Sequence, residues 1–319
     1  FRLSPGRDRL LASITVYPEC ADLDCSAQRD EGSANSNTSG VLYEQLFIRH
    51  WDRWLDGRQS RLFALTLTDG LHDGAEPVSL SGALNASVPS RTWGDSGEYA
   101  FSPDGQTVYF AARLAASSEP WSTNFDIYAV PSEGGEVVNL TGSNPAWDTQ
   151  PVPAPDGKHL AYLAMSRPGF EADRFRIMLL DLEKGEAREL APGWDRSASA
   201  IAFSDDGASL FVTAQDMGNK SLWRMDIGSG KIEKQVADGT VSGFDVAGST
   251  LVFARDSLES PSELYELKDS RIRQITDFSG PQLDGVEMGE YEQFSFEGAH
   301  GDTVYGYVMK PAGFEEGKK

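Results

Sequence analysis

The chain has 319 residues, 39% of them hydrophobic, and a formal charge of −21 with a pI near 4.5. That is ample for a large core, and no apolar run reaches the roughly 18–20 residues that a membrane helix needs. The charge opposes nucleic acid, whose phosphates it repels; its first consequence is solubility, and an acidic wall also attracts cations such as a peptide amino terminus.

In chain order, "RLSPGRDRLLA" (2–12) reads as a strand, a turn and a strand. An insertion follows, roughly 20–57, opening on Cys20 and Cys25 in "CADLDC". An even count at close spacing favours a disulfide between Cys20 and Cys25, hence an oxidising compartment; two reduced thiols of a cytosolic protein are the alternative. A metal site would want more Cys or His nearby, so none is expected, and no cofactor is called for. Next, "SAQRDEGSANSNTSG" reads as a polar loop. In "VLYEQLFIRHWDRWLDG", Leu42, Leu46, Phe47, Trp51 and Trp54 recur at helix-like spacing, so a short helix or an extended arm is expected there. Such an insertion is either a docking rim or a packed decoration. "RLFALTLTDG" (61–70) and "PVSLS" (77–81) close the unit.

The same unit then recurs. "AFSPDGQTVYF" (100–110) has Pro, Asp and Gly between two apolar runs, each suited to a tight turn. "VPAPDGKHLAY" (152–162), "AFSDDGASLFV" (202–212) and the degenerate "FDVAGSTLVF" (244–253) repeat it. A third run follows each, as in "FDIYAVPSEGG" (125–135), and a short fourth, as in "IEKQV" (232–236). Four strands at periods near 40–50 residues are the mark of a β-propeller blade. Five such units are visible. Trp93, Trp147 and Trp194 introduce three of them and are expected to pack between blades.

Two stretches break the pattern. "MSRPGFEADRFRI" (165–177) links the second and third strands of its unit and gathers Glu171, Asp173 and Arg174. It is either a solvated charged loop with an Arg–carboxylate pair or a recognition loop offering carboxylates to a cation. "YEQFSFEGAHGDTVYGYVMKPAGFEEGKK" (291–319) reads as a hairpin that departs from the last blade. No G-x-S-x-G is present, and His50, His72, His159 and His300 form no credible Ser-His-Asp set.

The "SPDG" turns and the tail "FEGAHGDTVYGYVMKPAGFEEGKK" resemble the prolyl oligopeptidase family of serine peptidases. "VYPECADLDC", "LFIRHWDRWLDGRQSRLF" and "MSRPGFEADRFRIML" look like its bacterial dipeptidyl peptidase 5 and acylaminoacyl peptidase branch. The resemblance implies an all-β propeller, with five of seven blades visible over 1–286. It implies a linker and hairpin over 287–319 leading into an α/β-hydrolase domain outside this chain. It further implies the gating and substrate-selecting part of a secreted or periplasmic serine exopeptidase that releases N-terminal dipeptides, its triad lying beyond Lys319. The segment alone is expected to be inactive. Expected partners are a short peptide and the chain's own hydrolase domain, with no nucleic acid and no membrane, and a homodimer left open. Glu171 is expected to hold the substrate α-ammonium, Arg174 to orient a carboxylate or substrate carbonyl, and Asp173 to pair with Arg174. The rival readings are a non-enzymatic TolB-like protein-binding propeller, which would normally close on its own terminal strand, and a glycosidase propeller, for which no carboxylate pair can be assigned.

Overall fold

The computed structural model describes residues 1–20, 22–43, 48–91 and 93–317. The chain divides into two compact units, Phe1–Leu190 and Ala191–Lys319. Both are built from four-strand antiparallel meanders, the repeating element of a β-propeller blade.

The first unit holds three such sheets. Arg2–Leu3, Arg9–Val16, Gln59–Thr68 and Val78–Ser79 form the first, with a fifth short strand, Leu71–His72, paired to the end of Gln59–Thr68. Tyr99–Phe101, Thr107–Ala112, Asp126–Pro131 and Val138–Asn139 form the second. Asp148–Pro153, His159–Ala164, Arg176–Asp181 and Glu186–Leu190 form the third. "TVYFAA" (107–112) shows why the strands read as unbroken apolar runs: both faces are buried. Val108, Phe110 and Ala112 enter a core with Leu11 and Leu62 of the first sheet, while Tyr109 and Ala111 enter one with Leu160 and Leu180 of the third.

In the second unit two meanders are joined by one parallel pair, Lys220 with Thr240. Their strands run Ala198–Phe203, Ser209–Asp216, Asn219–Asp226 and Ile232–Val236, then Thr240–Ala247, Thr250–Asp256, Glu263–Lys268 and Arg271–Gln274. Leu222, Val241, Leu251 and Phe253 pack between them. The expected tail hairpin pairs Tyr291–Glu297 with Thr303–Met309. It lies against the fourth meander, where Gln293 Nε2 and the Tyr307 hydroxyl both donate to the Met217 carbonyl, at 2.8 and 3.2 Å.

Each repeated turn joins the first and second strands of its meander. In "SPDG" the Ser102 hydroxyl donates to Asp104 Oδ1 (2.6 Å) and accepts from Thr107 N (2.9 Å), while Gly105 takes φ 72°. Ser204 and Asp206 repeat the arrangement at 2.6 Å. The tight geometry follows from a side-chain acceptor standing in for backbone and from a glycine in the left-handed region.

The insertion corrects the sequence reading. The polar stretch is a loop only over its second part, 35–40: Leu23–Ala34 is an α-helix, α1, capped by Asp22, whose carboxylate accepts from Cys25 N at 2.7 Å. The cap and the Cys20–Cys25 disulfide (Cα–Cα 5.5 Å) fix its first turn, so nucleation overrides a weakly amphipathic composition. The apolar stretch is not helical where it is described; Arg49–His50 pairs with Arg53–Trp54 as a short β-ladder, and Leu46 and Phe47 lie outside the described residues.

The tryptophans divide. Trp147 stacks on Phe125 of the preceding sheet at 4.8 Å, bridging two blades. Trp194 meets Trp223 of its own meander. Trp93 is 61% exposed and packs edge-on against Trp51, with Arg53 over its ring at 4.9 Å. The insertion, not a neighbouring blade, supplies the surface it covers.

Candidate functional site

An antiparallel meander has two ends. The repeated turns occupy one, and the connection between second and third strands emerges at the other. In the first unit these second-to-third connections are long: 17–58, 113–125 and 165–175. In the fourth meander the same connection is only Met217–Gly218. The chain's irregular polar and aromatic residues therefore gather at one end of the first unit's sheets, the usual place for binding groups.

The 165–175 loop is held firmly. Asp173 Oδ2 accepts from Ser166 N (2.7 Å), Ser166 Oγ (3.0 Å) and Arg167 N (2.8 Å). Partial burial pushes its carboxyl upward, but these N–H donors, with that of Arg174, outweigh burial and hold it at about 2. Gly169 N donates to Thr123 Oγ1 at 2.8 Å, tying this loop to the 113–125 connection. Arg167 lies over the Phe170 ring at 3.9 Å. Arg174 donates to Glu189 Oε1 at 2.8 Å. Asp173 thus takes the loop's N–H donors, that of Arg174 among them, while the Arg174 guanidinium reaches the Glu189 carboxylate on a nearby strand. Glu171 is exposed at the loop, and its carboxylate has no ion pair or hydrogen bond among the described residues.

Beneath this loop lies a buried acidic pair. Asp148 has no exposed surface and accepts from Asn144 Nδ2 at 2.7 Å, but its Oδ2 has no donor among the described residues. Asp126 accepts from Asn139 at 2.8 Å and likewise leaves Oδ1 without a donor. Burial pushes Asp148 up to about 7, with Asp126 adding to it and Asn144, Thr141 and Arg176 opposing. Asn144 and Arg176 also both donate to the Met165 carbonyl, which starts the loop.

A second locus opens under the insertion. A cavity of about 600 Å³ is bounded by residues 17–19, Arg29 of α1, the 41–43 and 55–59 segments, the 85–91 turn and the 113–125 connection. Its charged lining pairs internally: Arg29 with Glu19, Arg58 with Asp56 (2.6 Å) and Arg113 with Glu119 (2.8 Å). Arg113 also covers the Phe125 ring at 5.0 Å. Glu171, Asp173 and Arg174 do not line it. The sequence reading marked the insertion but missed Arg91, Arg113 and Glu119, because a lone charge in a connection carries no spacing signal. No group of three or more His, Cys, Asp or Glu suited to a metal occurs among the described residues.

No protein-family model matches the chain. The dipeptidyl-peptidase 5 of Porphyromonas gingivalis is 27% identical over 286 residues, covering 88% of this chain and 41% of the relative. The dipeptidyl-peptidase 5 of Arthroderma otae is 29% identical over 304 residues, covering 88% and 42%. Both of these relatives are dipeptidyl-peptidases. It spans about two fifths of the length of the curated dipeptidyl-peptidases it matches. In fold it is similar to the Pyrococcus horikoshii acylaminoacyl peptidase, with a TM-score of 0.69 at 16% identity over 97% of this chain and 43% of that one. Dipeptidyl-peptidase relatives and an acylaminoacyl-peptidase fold together bear out the resemblance to the prolyl oligopeptidase family and the all-β propeller class.

Proposed function

We propose that the chain is the propeller part of a serine exopeptidase that releases dipeptides from the N-terminus of short peptides. Its role is gating and selection, and the triad and α/β-hydrolase domain lie outside it. The observation that carries this reading is the 27–29% identity to dipeptidyl-peptidases 5 across 88% of the chain. The tail hairpin supports it: the hairpin meets its meander at the second-to-third-strand end. In this reading that end of the meander faces the catalytic domain. A cover there restricts access to short substrates and keeps bulk water from the reacting groups.

Within this reading Glu171 receives the substrate α-ammonium. Its uncommitted carboxylate stands on a loop pinned by Asp173 and by Thr123, and a pre-ordered acceptor loses little freedom on binding. Arg174, already turned toward Glu189, orients a carboxylate or a substrate carbonyl. The disulfide on α1 supports a secreted or periplasmic location.

The test uses the protein translated from the whole reading frame. A serine-directed fluorophosphonate probe labels it and leaves residues 1–319 alone unlabelled. Labelling of 1–319, or no labelling of either, contradicts the assignment.

A further inference from the structure

The cavity under the insertion holds a cation with donors to spare. Its lining carries four arginines, Arg29, Arg58, Arg91 and Arg113, against three carboxylates, in a chain whose net charge is −21. Three of the arginines are fixed. Arg58 forks onto Asp56 at 2.8 and 2.6 Å and reaches Asp30 at 3.2 Å. Arg113 donates to Glu119 and to the Ser122 carbonyl at 2.8 and 3.0 Å. Arg29 pairs with Glu19 and covers the Tyr17 ring at 4.6 Å. Arg91 differs. It gives one N–H to the Arg58 carbonyl at 2.9 Å, and the nearest carboxylate oxygen, on Asp56, is 3.6 Å away, beyond a hydrogen bond. The rest of its planar five-donor fork has no acceptor among the described residues, and the side chain is about a third exposed.

Its placement is fixed from behind. Ser90, the preceding residue, donates through both N and Oγ to the buried Glu98 carboxylate, at 2.7 and 2.8 Å. The turn that presents Arg91 is therefore anchored. Beside it, Gln59 also lines the cavity; its amide is held by Asn85 Oδ1 at 2.8 Å, and its Oε1 has no donor among the described residues. A volume of about 600 Å³ falls within the range of small-molecule sites.

We propose that this cavity binds the C-terminal end of a short peptide, with Arg91 receiving the terminal carboxylate. A guanidinium fork suits a planar carboxylate. This rests on the peptidase reading, and it adds a way for the propeller to favour short peptides with both ends free.

The experiment is calorimetric titration of the protein with tetra-alanine as free acid, tetra-alanine amide, and an Ala-Ala-Glu-Ala amide that carries only a side-chain carboxylate. The free acid binds saturably, the tetra-alanine amide at least about tenfold more weakly, and the glutamyl amide no better than that amide. Arg91→Gln removes the preference for the free acid; Arg91→Lys, which keeps the charge without the fork, retains part of it. Equal binding of acid and amide, binding rescued by the glutamate, or no saturable binding at all overturns the proposal. The unmutated amide comparison stands even if an Arg91 variant fails to fold. Failure of the peptidase reading looks different: carboxylate-dependent binding would persist while the whole reading frame shows no probe labelling.

Discussion

Asp148 carries a consequence for stability that its neighbours make explicit. Its carboxyl stays protonated to about pH 7 in the folded chain because burial outweighs the hydrogen bonds from Asn144 and Thr141 and the attraction of Arg176. The unfolded chain releases that proton near pH 4, so between about pH 4 and 7 it binds fewer protons than the folded chain. Stability therefore falls as pH rises through this window, by roughly 4 kcal/mol at most, at about 1.4 kcal/mol per decade. Asp148→Asn keeps the oxygen that Asn144 needs and cannot ionise. Its melting temperature should exceed the parent's by several degrees at pH 8, with the advantage gone by pH 4; a gap independent of pH would show that Asp148 is not the titrating group. Glu171 is tested by function. In the protein of the whole reading frame, the proposed function predicts that Glu171→Gln cuts kcat/KM for free-amine dipeptide substrates about tenfold, equal to about 1.4 kcal/mol, and leaves N-acylated substrates nearly unchanged. Equal loss on both would make Glu171 structural. Of these residues, the 171–174 cluster was legible as an interruption of a blade. Its internal pairing was not, because Asp173 is satisfied by backbone N–H groups that only the folded loop brings to it.

The meanders were legible at the scale of elements because their turns carry local chemistry. Ser102, Asp104 and Gly105 close a turn with bonds confined to six residues, so the pattern survives without tertiary context. The third copy has Ala154 in the serine position, and there Asp156 still accepts from Lys158 N at 2.8 Å. Ser102→Ala should therefore cost only about 1 kcal/mol in urea unfolding, the usual net worth of such bonds, and Ala154→Ser should recover part of that amount elsewhere. A loss of several kcal/mol from Ser102→Ala would mean the hydroxyl also supports packing between sheets. The insertion was misread because its helix depends on a cap and a covalent link more than on periodicity. Free-thiol titration of the unreduced, denatured protein should find none; replacing both cysteines by serine should cost about 2 kcal/mol and lower helix content. Two reactive thiols would remove the case for an oxidising compartment.

At the scale of the whole molecule, repeat length and turn chemistry specified an all-β propeller class, and a net charge of −21 fits a partner that arrives as a peptide amine better than one that arrives as a phosphate backbone. The cavity under the insertion was beyond the sequence: its walls come from α1, the 85–91 turn and the second sheet's 113–125 connection, segments whose approach is set by sheet packing. What the two loci share is a place at the end of the blades where long connections replace tight turns. That arrangement suits the proposed cover that reads the ends of a peptide, and in that proposal the free amine is the decisive feature of a substrate. The most direct measurement compares hydrolysis, by the protein of the whole reading frame, of a fluorogenic dipeptide with a free α-amine and of the same dipeptide N-acylated. The account predicts release from the free-amine form with kcat/KM at least about tenfold higher. Preference for the acylated form, or turnover of neither, would contradict it.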